Sequence, residues 1–486
     1  MSEVIHLGLI SHTNAGKTTL ARTLLGRDVG EVRDAAHVTD LSEAYTLIET
    51  AEGDSLKLWD TPGFGDTARL VKRLKHAGNP LGWVLTQVWD RYNDRPFWCS
   101  QQAVRTARDD ADVILYLLNA AEDPGGAAYI RLEMEVLAWI GKPVIVLLNQ
   151  TGPPRSREAE QAEEERWRTH LRAFGMVRAV LTLDAFARCW VQEGELLDAV
   201  HETLSPEFQP AFSRLSRAWR RKNTERFRAS MAVLAAQLQS VASDRESVEA
   251  ATVSDRAREF LRSLISGSDA TAADKVKAMA ALAESLNEEI RAATDKLIRL
   301  HQLEGRAANE IQRRLIDDYA IDEPVNEGAA AVIGGFVSGA LGGLKADLAS
   351  GGLTHGAGMI GGGILGAVAA GGLARGYNIV RGHDRAWLRW SPEFFEGLVR
   401  SALLRYLAVA HFGRGRGEYA ESEHPRFWQE AVTNTVEARR REIRAVWERG
   451  DTASATEIER LITECAVSLL EQFYPEAHAT AAENER

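Results

Sequence analysis

Apolar and polar positions follow two different rhythms along the chain, and the change of rhythm divides it. Short apolar runs mark the first two hundred residues: Val4–Ile10, Tyr45–Ile48, Ser55–Trp59, Val113–Leu118, Pro143–Leu148 and Val177–Leu183. Runs of this length with few polar interruptions predict strands buried on both faces. Helical patterns lie between them, notably Ala127–Ile140 and the charge-laced Ser156–Phe174. Strands alternating with helices predict a mainly parallel sheet covered on both sides, so residues 1–205 are expected to form one α/β domain. The interval from Gly63 to Val113 is longer than this plan requires and holds Trp83, Trp89 and Trp98. It predicts an insertion over about 66–110, read either as an extra helix pair packed on the sheet or as a lid or partner surface.

Beyond residue 205 the rhythm is helical. Residues 220–320 contain no proline and are rich in Ala, Arg, Glu and Leu, which predicts a bundle or a long antiparallel stalk over 206–326. Breaks fall at Ile265–Ser268 and near Asp318–Pro324. Helices are expected again over 377–475, the last near Thr456–Phe473. Between these blocks lies a glycine-rich apolar stretch, 327–376. Gly335, Gly339 and Gly343 share one helical face, as do Gly358, Gly362 and Gly366 with Ala370 continuing the row. Glycine disfavours helix, so such rows imply close approach of two helices, with Lys345 and Asp347 marking the turn of a hairpin. Three readings stay open: a soluble, tightly packed hairpin; one that inserts into or lies on a membrane; and a flexible linker.

Composition narrows the function classes. A formal net charge of −11 argues against nonspecific nucleic-acid binding as the main activity, because phosphate contacts need a basic footprint. No nucleic-acid partner is therefore expected. Cys99, Cys189 and Cys465 are scattered and odd in number, which fits a reducing compartment rather than a disulfide framework or a zinc site. The apolar N-terminal run is too short for a signal peptide. A cytoplasmic location is expected, peripheral to or inserted in the inner membrane if the hairpin engages lipid.

The chemistry sits at strand ends. Ser11 to Thr18, SHTNAGKT, follows the first strand and precedes a helix, as a phosphate-binding loop of the form G-x-x-x-x-G-K-[ST] does. Gly16, Lys17 and Thr18 are intact, and Ser11 replaces the first glycine. In such a loop, backbone N–H groups cradle phosphates, the lysine reaches the β- and γ-phosphate oxygens, and the Thr18 hydroxyl ligates Mg²⁺. The third strand ends in DTPG, where Asp60 is placed to hold the Mg²⁺ shell and Gly63 to sense the γ-phosphate. An ordinary turn explains DTPG alone, but not its position after a phosphate loop and another strand. His12, inside the loop, reads equally as a phosphate or partner contact and as a plain exposed residue.

With these motifs placed, residues 1–205 resemble translation-factor-class GTPases of the Era/TrmE/septin-like type. The loop residues Asn14, Ala15, Gly16 and Lys17 match that family, as does apolar Phe64 after the DxxG glycine. The resemblance implies that GTP or GDP with Mg²⁺ is bound through Asn14, Ala15, Gly16, Lys17, Thr18 and Thr19. It implies catalytic roles for Lys17, Gly63 and a switch threonine, best placed at Thr39 with Thr46 as the alternative, and metal contacts from Thr18, Thr39 and Asp60. With Phe64 where other GTPases carry glutamine, hydrolysis is expected to be slow without backbone groups, a cation, a homodimer or a protein partner. The base motif N-K-x-D is reduced to Asn149-Gln150-Thr151-Gly152. Asn149 is kept, and Asp184, or less well Asp123, is the candidate replacement for the missing carboxylate. The whole chain resembles bacterial two-part proteins with a C-terminal domain of the DUF3482 group, most clearly at 183–200, LDAFARCWVQEGELLDAV. The function this implies is a guanine-nucleotide switch with slow Mg²⁺-dependent hydrolysis coupled to the helical part. The alternatives are a nucleotide-binding, membrane-associated scaffold with little turnover, and an ATPase of relaxed base specificity.

Overall fold

A computed structural model describes residues 2–27, 29, 42–76, 95–151, 157–185, 189–247, 270–303, 377–381, 386–412 and 426–475. The chain forms two compact units, one built mainly from Met1–Glu225 and the other mainly from Arg226–Val409 and Ala420–Leu470.

The first unit is a six-stranded mixed sheet in the order β2-β3-β1-β4-β5-β6. Its strands are β1 (Val4–Ser11), β2 (Glu43–Glu49), β3 (Ser55–Asp60), β4 (Val113–Asn119), β5 (Val144–Asn149) and β6 (Val177–Thr182). All neighbours are parallel except the edge pair β2–β3, which is antiparallel with a register shift between Thr46 and Ile48. The parallel pairing requires helical crossovers. These are α1 (Lys17–Leu25), α2 (Thr67–His76), α3 (Arg95–Asp109), α4 (Ala128–Ile140), α5 (Arg157–Leu171) and α6 (Trp190–Thr203). β5 is buried along its whole length and β4 along all but its last residue, because each face meets its own core. One core gathers Ile114, Tyr116 and Val146 with Phe64, Met134 and Trp167. The other gathers Leu7, Leu9 and Leu115 with Leu20, Leu197, Phe212 and Trp219. Phe212 and Trp219 lie on α7 (Gln209–Ser243), whose N-terminal part caps this unit. Arg214 on that helix fixes the packing angle through a two-pronged bond to buried Asp54, at 2.6 and 3.0 Å.

The expected insertion contains α2 and α3 on either side of residues 77–94, so Trp83 and Trp89 lie outside the described residues, whereas Trp98 is buried.

The second unit is mostly helical: the rest of α7, then α8 (Ala270–Leu300), α9 (Pro392–Ala410), α10 (Arg426–Ala438), α11 (Arg440–Arg449) and α12 (Ala455–Phe473). Buried Arg405 donates to Gln237 Oε1 at 2.6 Å, Thr294 Oγ1 at 3.1 Å and the Ile290 carbonyl at 3.2 Å, joining α7, α8 and α9. Glu396, also buried, receives Arg444 at 2.6 Å and Arg440 at 3.1 Å. The structure departs from the expected all-helical C-terminal segment in one place. Residues 377–381 and 386–390 form an antiparallel pair, β8 and β9, to which the short β7 at 246–247 adds a third strand. The alternation and aromatic content of Ala386–Trp390, AWLRW, favour a pleated strand over a helix. The glycine-rich stretch 327–376 lies outside the described residues. Among the described residues, no helix is long and apolar enough to cross a membrane.

Candidate functional site

The site lies at the C-terminal ends of β1 and β3, where a doubly wound sheet opens. After Ser11 the chain turns through Asn14, at φ 67°, and Gly16, at φ 91°, both left-handed. That turn aims successive backbone N–H groups into one concavity, the arrangement that holds anions. Gly16 is required twice over: its φ favours glycine, and a Cβ there would sit 2.8 Å from Asn149 Nδ2. Helix α1 then starts at Lys17 with no side-chain cap, so its first-turn N–H groups face the loop.

Lys17 is buried, and its Nζ donates to Ser11 Oγ at 2.8 Å. The serine that replaces the first glycine of the motif thus supplies a hydroxyl acceptor for the loop lysine. Burial pulls the Lys17 ammonium down to about 8, against the opposing charges of Asp60 and Glu133. Thr18 Oγ1 donates to Asp60 Oδ2 at 2.6 Å. Burial pushes the Asp60 carboxyl up to about 6, although the Thr18 bond and the Lys17 charge act the other way. Among the described residues, Asp60 Oδ1 is buried without a hydrogen-bond partner. A buried carboxylate oxygen left open beside a threonine hydroxyl is the donor set a hard cation takes.

The DTPG turn is stitched to the loop. Thr61 Oγ1 donates to the Leu9 carbonyl at 2.7 Å, and Phe64 N donates to the Ser11 carbonyl at 2.9 Å. Thr13 returns two bonds to the Phe64 carbonyl, from Oγ1 at 2.9 Å and from N at 3.3 Å. A Cβ on Gly63 would lie 2.8 Å from Thr13 Cα and 3.1 Å from Lys17 Nζ, so only glycine lets the turn approach this closely. The Phe64 side chain is fully buried in the core, pointing away from solvent.

Asn149 and Asp184 meet at the same end of the sheet, each with protein partners. Asn149 is completely buried; its Nδ2 donates to the Ala15 carbonyl at 2.9 Å, and its Oδ1 accepts the Ala185 N–H at 2.8 Å. It therefore straps the phosphate loop to the loop after β6. Asp184 Oδ2 accepts both Thr151 N, at 2.9 Å, and Thr151 Oγ1, at 3.0 Å. Thr19 is buried in the first turn of α1. Asp123 folds back on its own turn, accepting Gly125 N at 3.1 Å. Thr46 lies within β2, as expected, while Thr39 and Gly152 fall outside the described residues.

Sequence reading missed the residues behind the loop. His12 is partly exposed, and its Nδ1 lies 2.7 Å from Glu133 Oε1 while its ring rests on Tyr129, with centroids 4.3 Å apart. Glu133 is completely buried on α4. The one available signal was an acidic residue in register with Ile130, Met134 and Leu137 on the apolar face of that helix. Ser100, which accepts the N–H groups of Gly65 at 2.9 Å and Asp66 at 3.3 Å, carried no signal at all.

Residues 168–470 match the family model of the domain of unknown function DUF3482, which spans more than half of the chain. The chain belongs to the DUF3482 family. Ahead of that match, residues 6–150 of this DUF3482 protein match the family model described as 50S ribosome-binding GTPase. A curated relative, GTPase Era of Heliobacterium modesticaldum, is 26% identical over 144 residues, covering 30% of this chain and 38% of the relative. The chain thus spans well under half the length of that relative. Among solved structures, a variant of Aquifex aeolicus Era bound to GDP.AlF4- shows 18% identity, with 42% of this chain and 57% of the other covered, at a TM-score of 0.31. Era in complex with MgGDPNP and nucleotides 1506–1542 of 16S ribosomal RNA shows 17% identity over 42% and 58% of the two chains, at a TM-score of 0.30. That Era complex holds RNA, whereas the charge of the DUF3482 protein led to an expectation of no nucleic-acid partner. The N-terminal part thus matches a GTPase family model and resembles Era in sequence, and the DUF3482 region follows it.

Proposed function

We propose that this protein is a guanine-nucleotide switch that hydrolyses GTP slowly with Mg²⁺ and relays the nucleotide state to its helical part. The observation that carries the reading is the pairing of Thr18 with Asp60 at 2.6 Å, with Asp60 Oδ1 buried and open beside buried Lys17. Thr18 and Asp60 would hold Mg²⁺, with Thr39 as the third candidate; the bound ion supplies charge neutralisation on the β- and γ-phosphates. Lys17 neutralises phosphate charge from within a buried site, where its interaction is stronger than in water. The N–H groups of the Asn14–Thr18 turn orient the phosphates, and Gly63, packed against Thr13, is placed to meet the terminal one. Buried Phe64 leaves no polar side chain at that position to orient an attacking water, which supports slow turnover. Guanine selection rests on the family resemblance: Asn149 acts as a strap, and Asp184, in the loop after β6, is the candidate carboxylate for the base.

The same burial of Phe64 favours a second reading, a nucleotide-binding scaffold with little turnover. Phosphate release from GTP by the full-length protein with Mg²⁺ separates the two. The switch reading expects slow release above background that Lys17→Ala removes, by a factor of at least about 100 for a loss of transition-state charge stabilisation. Equal rates for wild type and Lys17→Ala, with tight GDP binding in the wild type, leave the scaffold.

A further inference from the structure

Glu133 lies behind the phosphate loop, a completely buried carboxylate met by donors from three separate segments. Oε1 accepts His12 Nδ1–H at 2.7 Å and Thr67 Oγ1–H at 3.2 Å, while Oε2 accepts the Tyr116 hydroxyl at 2.6 Å. Burying such a charge is costly unless its lone pairs are met, and here they are. The identity of the donors is informative. His12 belongs to the phosphate loop, Thr67 opens α2 directly after the DTPGFGD turn, and Tyr116 stands on the central strand β4. Ser100 completes the arrangement by accepting the N–H groups of Gly65 and Asp66, so residues 65–67 are pinned at two points.

We propose that Glu133 is a positioning residue that couples the phosphate loop to the start of α2, so that the terminal phosphate is read out as movement of residues 65–69. The inference rests on the nucleotide-switch reading above. Tyr116 holds the carboxylate to the rigid sheet at 2.6 Å, and His12 holds it to the loop at 2.7 Å. The Thr67 bond, at 3.2 Å, is the longest of the three and is the arm that makes or breaks when the DTPG turn moves. A ligand biases such an element only through a difference in contacts between its two states, and the Thr67 arm supplies that difference.

The test is the ratio of the dissociation constants for GDP and for a non-hydrolysable GTP analogue, measured on the full-length protein with Mg²⁺. Thr67→Val and Glu133→Gln are each expected to change the wild-type ratio by about 5- to 10-fold, while GDP affinity moves less than about 2-fold. The double variant is expected to match Glu133→Gln alone, because both changes remove the same arm. Thr67→Val is close to isosteric and loses one hydrogen bond and no charge, so its result stands even where Glu133→Gln unfolds. A Thr67→Val ratio equal to wild type, or a wild type that binds the two nucleotides equally, overturns the coupling. A wild type that binds no guanine nucleotide overturns the switch reading instead.

Discussion

Removing the Asn149 side chain is the sharpest test of how the site is built. Asparagine at this point of a GTPase motif invites the reading of a base contact, but here both ends of its amide are engaged by the protein. Asn149→Ala strands the Ala15 carbonyl and the Ala185 N–H, two buried backbone groups now bonded at 2.9 and 2.8 Å. Each buried group left unmet costs about 1–3 kcal/mol. Partial relaxation and entry of water reduce the sum, so a loss of ~2–4 kcal/mol in the first unit is expected. The strap also holds the phosphate loop in its binding conformation, so its loss taxes every nucleotide alike. An affinity loss of about 10- to 100-fold, or ~1.4–2.7 kcal/mol, is expected for GDP and ADP in equal measure. The assay is urea unfolding of the full-length protein, with the transition of the first unit identified by its shift on adding GDP and Mg²⁺. Direct nucleotide titrations accompany it. A stability change below about 0.5 kcal/mol, together with a loss confined to GDP, would refute the strap and restore Asn149 as a base contact.

Two further outcomes follow from the same geometry. Gly16→Ala places a side chain at φ 91° and 2.8 Å from Asn149 Nδ2; it is expected to cost ~1–2 kcal/mol and to weaken GDP binding at least 10-fold, and unaltered titrations would contradict this. The Arg214 hydrogen bonds hold the Asp54 carboxyl below the usual carboxylate range, with burial opposing. A carboxylate depressed in the folded state stabilises above its unfolded value, about 3.9, and that contribution fades as pH falls through the folded value. The melting temperature of wild type should therefore exceed that of Asp54→Asn at pH 6, and the gap should close below about pH 4. A gap that persists unchanged to pH 2.5 would show that the ion pair carries none of it.

Local chemistry determined much of this protein from sequence alone. The buried strands read as apolar runs because a parallel sheet with helices on both faces leaves them no polar side. Gly16, Lys17, Thr18, Asp60 and Gly63 read as a phosphate site because each serves a backbone angle, a charge or a close approach that few other residues supply. The DUF3482 resemblance was legible at 183–200. Tertiary structure decided what depends on partners distant in sequence. Asn149 was legible as a motif residue, but only the fold brought its amide onto Ala15 and Ala185. His12 was ambiguous until Glu133, 121 positions away, met its ring. Glu133 was invisible because one acidic residue in a helix is ordinarily a solvated one, and only the fold puts it against Tyr116, Thr67 and the loop. The strands at 377–381 and 386–390 were likewise hidden, since five residues of each mean little until they pair. Sequence thus identified the groups proposed to hold phosphate, while the fold decided which groups hold those in place, because a hydrogen-bond partner is a property of proximity and not of order along the chain.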